Sequence, residues 1–111
     1  MEMVSLGNTG IAVSRFCFGS LTMGPLKADC SVEQGSDVMA YAIQRGIRFF
    51  DTAQLYRTYP FLRRAMEKTG CYDLIICTKT FAYTREMAIE AVEEARSPGN
   101  RRFPQPAGET V

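Results

Sequence analysis

The 111-residue chain contains no histidine. That removes the commonest partner of cysteine in small zinc sites. Four cysteines are present, Cys17, Cys30, Cys71 and Cys77, but no two are spaced as Cys-x-x-Cys, so neither a zinc ribbon nor a thioredoxin-type motif is encoded. Charge of one sign is also missing, with 13 basic against 12 acidic residues. Such a balance gives no electrostatic drive toward nucleic acid or an anionic membrane. No apolar run approaches the ~18 residues of a membrane span. The opening "MEMVSLGNTG" has no basic stretch leading into an apolar one, which is what a secretory signal requires. Neither phosphate-loop pattern, GxxxxGK[ST] or GxGxxG, occurs, which argues against a nucleotide-phosphate cradle at a strand–helix junction. The expected location is the cytoplasm, with reduced, structural thiols. Cys17 and Cys77 lie in apolar strand-like runs, where cysteine behaves as a small hydrophobe.

What is present is an alternation of two hydrophobic periods. "MVSL" and "IAVS" flank "GNTG" and predict a small hairpin. "RFCFGS" predicts a strand near 15–19, "IRFFD" one near 48–51 and "DLIICTK" one near 74–78. The last is almost continuously apolar, as a parallel strand covered on both faces should be. Between them, helical spacing predicts helices near 31–45, 60–68 and 84–96. "SVEQ" from Ser31 reads as a capping box, and Gly46 as the left-handed stop of the same helix. Val38, Met39, Ala42 and Ile43 are its expected inner face. Pro60 suits the first turn of the second helix, with Phe61, Leu62, Ala65 and Met66 inward. Ala88, Ala91, Val92 and Ala95 are the expected inner face of the third. A hairpin followed by three βα units implies an α/β fold with a parallel sheet and right-handed crossovers. A single domain is expected over residues 1–96. Residues 97–111, "SPGNRRFPQPAGETV", hold three of the five prolines and few apolar residues. They are expected to be disordered, without a strand.

In parallel α/β proteins, sites form at the C-terminal ends of strands. Gly19 and Ser20 follow the first predicted parallel strand, Asp51 closes the second and Lys79 closes the third; Tyr56 stands in the loop after Asp51. A carboxylate ending an apolar strand is costly unless paired, and Lys79 is its natural partner. A free phenol, with a pKa near ~10, is a poor acid at neutral pH. A neighbouring ammonium favours the phenolate, and a carboxylate keeps that ammonium charged and in place. Tyr, Lys and Asp together therefore compose a general acid for a developing oxyanion. Each residue also has an ordinary role: aspartate as a turn residue, tyrosine as packing, lysine as a solvated loop charge.

With these residues, the chain resembles the aldo-keto reductases. "LGNTGIAVSRFCFGS" resembles their opening hairpin and first strand, "GIRFFDTAQLY" their Asp-Thr-Ala…Tyr signature, and "IICTK" their third strand with its lysine. The resemblance implies a (β/α)8 barrel, plugged at its base by the hairpin, of which this chain holds the hairpin and about three βα units. It implies hydride transfer between a nicotinamide cofactor, usually NADP(H), and a small carbonyl or alcohol. Tyr56 takes the role of proton donor, Lys79 of its modulator and Asp51 of the lysine's partner. Gly19, Ser20 and Leu21 fall near the nicotinamide.

The sequence departs from the family at three points. Arg57 stands where glycine often follows the tyrosine. The fourth catalytic member, a histidine closing the fourth strand, has no counterpart. A whole barrel takes about 250 residues. A truncated or frame-altered oxidoreductase with little or no activity of its own is therefore expected, with weak or no cofactor binding. Two alternatives stand beside it: a non-catalytic α/β fragment that associates with another chain, or with itself, through open sheet edges, and an anion-binding α/β domain.

Overall fold

A computed structural model describes residues 1–96. Gly7 and Gly10, with φ of +54° and +76°, turn the chain between β1 (Met3–Ser5) and β2 (Ala12–Ser14). The two strands pair antiparallel, Met3 opposite Ser14. The buried Ser14 hydroxyl ties this hairpin to the rest of the chain: it donates to the Phe16 carbonyl at 2.7 Å and accepts from the Arg48 amide at 2.9 Å.

A second sheet holds β3 (Cys17–Gly19), β4 (Phe49–Asp51) and β5 (Ile75–Cys77), all parallel, in that spatial order. Strand alternation puts Phe18, Phe50 and Ile76 on one face, where the Phe18 and Phe50 rings lie 5.3 Å apart. That face meets α1 (Val32–Gln44) and α2 (Tyr59–Thr69), and the core forms there around Phe50, Met39, Ile43, Leu62, Ala65 and Leu74. The opposite face carries Cys17, Phe49, Asp51, Ile75 and Cys77; Cys17 is exposed and the other four are only half-buried.

Local signals explain where the helices begin and end. The Ser31 hydroxyl accepts from the Gln34 amide at 3.1 Å, the first half of the expected capping box. At the other end of α1, Gly46 (φ +99°) lets its own amide reach the Ile43 carbonyl and the Ile47 amide the Ala42 carbonyl, a Schellman stop. Pro60 sits in the first turn of α2, and Gly70 ends it at φ +67°. The two helices pack at Gly35, where a Cβ would run into the Phe61 ring. Lys68 stitches them on the surface, reaching Asp37 at 2.6 Å and the Ser36 hydroxyl at 2.8 Å. The third helix, α3 (Arg85–Arg96), is attached more loosely: Ala91 is its one buried residue.

The βα order and the parallel pairing match the expectation, with shorter strands and no closed barrel among the described residues. Four expectations fail. Val38 points outward at 52% exposure, because the inner face of α1 is built on the smaller Gly35, Ser36, Ala40 and Ala42 as well as Met39 and Ile43. Val92 is 54% exposed, and Ala88 and Ala95 only half-buried, because α3 meets few partners. β5 is half-buried at every residue, since helices cover one face of the sheet and not the other. Cys17 faces outward on that open face rather than acting as an interior hydrophobe. The disorder expected for residues 97–111 falls outside the described residues.

Candidate active site

Asp51 closes β4, and its Cα lies opposite Gly19 on one side and Cys77 on the other. The ladder continues past the strands: the Thr52 amide donates to the Cys77 carbonyl at 2.8 Å, and the Gln54 amide to the Lys79 carbonyl at 2.9 Å. This extended pairing fixes Lys79 beside Asp51. By alternation Ile75, Cys77 and Lys79 share a face, the one that Asp51 also occupies. The Lys79 ammonium donates to the Thr52 carbonyl at 2.9 Å and lies 3.4 Å from each Asp51 carboxylate oxygen.

Tyr56 ends a single 3-10 turn, Gln54–Tyr56, and is half-buried. The Lys79 ammonium sits 4.9 Å from the centre of its ring, within the range of a cation–π contact. Desolvation pulls the Lys79 pKa down and is the largest single influence. The Tyr56 hydroxyl and the Asp51 carboxylate together outweigh it, so the ammonium is held above its ordinary value. Lys79 is therefore a firmly charged group between a phenol and a carboxylate, at the C-terminal end of the sheet.

All three sequence-predicted catalytic candidates are thus brought together. The three residues of the predicted cofactor loop separate. Gly19 is exposed, and a side chain added there would meet nothing within 4 Å. Leu21 is half-buried at the start of a second 3-10 turn, Leu21–Met23. Ser20 is fully buried, its hydroxyl 3.1 Å from the Asp51 carbonyl and 2.9 Å from the Thr58 hydroxyl.

Cys77 belongs to the site although sequence reasoning treated it only as an apolar filler. Its thiol lies in register with Asp51 on the same face; burial first, and then the negative charge of Asp51, push its pKa up. A raised pKa keeps the thiol protonated at neutral pH, which does not suit a nucleophile. The i, i+2 spacing from Lys79 was the signal that could have found it. Behind Lys79 lies a cleft of about 340 Å³ between the end of β5 and α3, lined by Tyr59, Thr78, Ala91 and Val92 among others. Its walls are mostly apolar, and Asp51 and Tyr56 do not line it. The polar chemistry gathers on the other side of the lysine.

A parallel sheet whose consecutive strand ends bring a carboxylate, a lysine and a tyrosine to one point defines an α/β protein with a candidate site at the C-terminal end of its strands. The model of the Aldo/keto reductase family matches residues 15–100, and the chain belongs to that family. Over 56 residues it is 41% identical to the uncharacterized oxidoreductase YrpG of Bacillus subtilis (strain 168), a match covering 50% of this chain and 16% of that protein. Over 57 residues it is 40% identical to the probable aldo-keto reductase 1 of Glycine max, again covering 50% of this chain and 16% of that one. Among solved structures, PA4992, the putative aldo-keto reductase of Pseudomonas aeruginosa, superposes with a TM-score of 0.60 at 25% identity, over 84% of this chain and 40% of that chain. The chain thus matches a minor part of the length of each relative.

Proposed function

We propose that residues 1–96 carry the proton-donor part of an NADP(H)-dependent carbonyl reductase acting on small carbonyl compounds in the cytoplasm. The observation that supports this reading is the meeting of Tyr56, Lys79 and Asp51 at the C-terminal end of a parallel sheet. The Tyr56 hydroxyl gives its proton to the carbonyl oxygen as negative charge develops there, and the oxygen becomes an alcohol. The phenolate left behind lies beside the Lys79 ammonium. Asp51 and the Thr52 carbonyl keep that ammonium charged and aimed. The nicotinamide, when bound, supplies the hydride. The open space over Gly19, in register with Asp51, fits a flat ring brought close to the backbone. Gly19 and Leu21 are the residues that would line it, whereas the Ser20 side chain is already committed to the protein interior. No helix among the described residues is long and apolar enough to cross a membrane.

Tyr56, Lys79 and Asp51 meet, but the described residues do not enclose a substrate. Orientation of hydride donor and carbonyl at near-attack distance supplies about 7–11 kcal/mol of such a barrier. The face bearing Asp51 lies open. The chain also has no histidine to serve as a further carbonyl donor, and losing one donor of that kind costs about 2.7–4 kcal/mol. Purified 111-residue chain mixed with NADPH and 4-nitrobenzaldehyde is expected to show no oxidation above background at the reduced-nicotinamide absorbance band. Residues 15–96 grafted in place of the matching segment of the Bacillus subtilis relative are expected to restore it. An active isolated chain, or a well-folded graft without activity, would overturn this reading.

One observation favours a second, non-catalytic reading. Among the described residues, Phe49 and Ile75 are only half-buried on the open face, and β3 and β5 each have one edge without a strand partner. A chain with these features is suited to associate with another chain or with a copy of itself. Light scattering after size exclusion decides it, since a monomer at tens of micromolar excludes self-association.

A further inference from the structure

The loop that carries Tyr56 leaves the sheet at Thr52 and enters α2 at Thr58, and the hydroxyls of these two residues meet at 2.7 Å. Thr58 also lies 2.9 Å from the Ser20 hydroxyl, which donates to the Asp51 carbonyl at 3.1 Å. Each hydroxyl has one proton, so the directions follow. Ser20 spends its proton on Asp51, Thr58 donates to Ser20, and Thr52 donates to Thr58. All three side chains are fully buried. Buried hydroxyls in a chain polarise one another, and a break leaves an unpaired polar group in the interior.

Two independent features show that this cluster constrains the loop rather than merely filling space. Thr58 is the N-cap residue of α2, yet its side chain makes no capping hydrogen bond. A threonine at that position ordinarily bonds the helix amides; here the hydroxyl is turned to Thr52 and Ser20 instead. Gly24, in the loop after β3, packs against the same turn. A Cβ on Gly24 would collide with the Tyr56 carbonyl oxygen and press on the Thr58 methyl at 3.0 Å. The turn is therefore closed at its ends by hydroxyls and held across its back by a glycine.

We propose that Ser20, Thr52 and Thr58, with Gly24, form a positioning device for Tyr56. Ser20 then acts through Thr58, not as a cofactor contact. The proposal rests on the reading of Tyr56 as proton donor, but its test does not depend on activity. In the 111-residue chain, an ammonium 4.9 Å from the Tyr56 ring centre places the Lys79 ε-methylene protons in the ring current. Their upfield shift by NMR is a direct gauge of Tyr56 placement, and Tyr56→Phe followed by Tyr56→Ala assigns it. Thr58→Val keeps the shape and removes the hydroxyl; it is expected to lose at least half of that shift while the Tyr59 and Tyr72 ring signals stay in place. Thr58→Ser should restore it. Ser20→Ala is the second variant, expected to act in the same direction. An unchanged Lys79 shift in folded Thr58→Val or Ser20→Ala overturns the proposal. So does failure of both variants to fold, because the cluster would then serve the fold as a whole. Should Tyr56→Phe leave carbonyl reduction intact in the grafted enzyme, the functional reading falls and the placement measurement stands by itself.

Discussion

The Lys79 ammonium bridges Tyr56 and Asp51: it lies 4.9 Å from the centre of the Tyr56 ring and 3.4 Å from the Asp51 carboxylate. The Lys79–Asp51 pair is half exposed, with side-chain exposures of 50% for Lys79 and 41% for Asp51. Water screens such a pair, so it contributes at most about 1 kcal/mol to stability. Lys79→Met is accordingly expected to leave the urea midpoint nearly unchanged while removing the charge beside the phenol. A drop well above 1 kcal/mol would mean that Lys79 is chiefly a structural residue.

Arg57 follows Tyr56 with φ +60° and ψ +33°. That is the left-handed region, where a side chain costs about 1–2 kcal/mol relative to glycine. The arginine at this position, where the family often has glycine, is thus held in a conformation suited to glycine. Arg57→Gly is expected to raise stability by about 1 kcal/mol in urea unfolding, less the entropy that glycine adds to the unfolded chain.

Stability should fall on the alkaline side, and Tyr59, Lys79 and Cys77 agree in sign. Burial pushes the Tyr59 phenol above 10.0, outweighing its bond to Thr78. Lys79 is held above 10.5 by Tyr56 and Asp51 against desolvation. A raised pKa means that the folded state keeps its proton longer. The contribution is complete below the unfolded value and is lost as pH rises through the folded one. The Cys77 thiol, raised from an ordinary value of 9.0, adds with the same sign, so thermal unfolding followed from pH 8 to pH 11 should show the loss beginning near pH 9 and steepening past pH 10. Tyr59→Phe should flatten that slope, and an unaltered slope would remove Tyr59 from the account.

Phe50 is completely buried between the two helices and the sheet. Phe50→Ala should cost about 3–5 kcal/mol, enough to unfold much of the chain at room temperature. By contrast Val38→Ala, at a residue 52% exposed, should change stability by well under 1 kcal/mol, as circular dichroism melts can establish.

These contrasts also mark what was legible in the sequence. The helix limits were readable because Ser31, Gly46, Pro60 and Gly70 act locally, through capping bonds and backbone freedom. Asp51 and Lys79 were readable as partners because parallel strands bring their C-terminal ends together. Helical spacing alone puts Val38 on the inner face of α1; it lies outside because the α1–α2 contact is made through Gly35, where closeness matters more than hydrophobicity. The family resemblance alone puts Ser20 in the loop near the nicotinamide; its buried hydrogen bonds leave no trace in the local sequence. Its partner Thr58 is 38 residues away, and no local pattern could connect them.

The central claim is that Tyr56 delivers the proton. Its most direct test is the rate of NADPH-dependent reduction of 4-nitrobenzaldehyde by the graft carrying residues 15–96, compared with its Tyr56→Phe variant. Phenylalanine keeps the ring that faces Lys79 and removes only the hydroxyl, and with it the proton, and general acid catalysis of this kind contributes about 10²–10⁴-fold. A fall in kcat of that size, with KM for the aldehyde little changed, is the predicted result. A Tyr56→Phe graft that reduces the aldehyde within about threefold of the unsubstituted graft would contradict it.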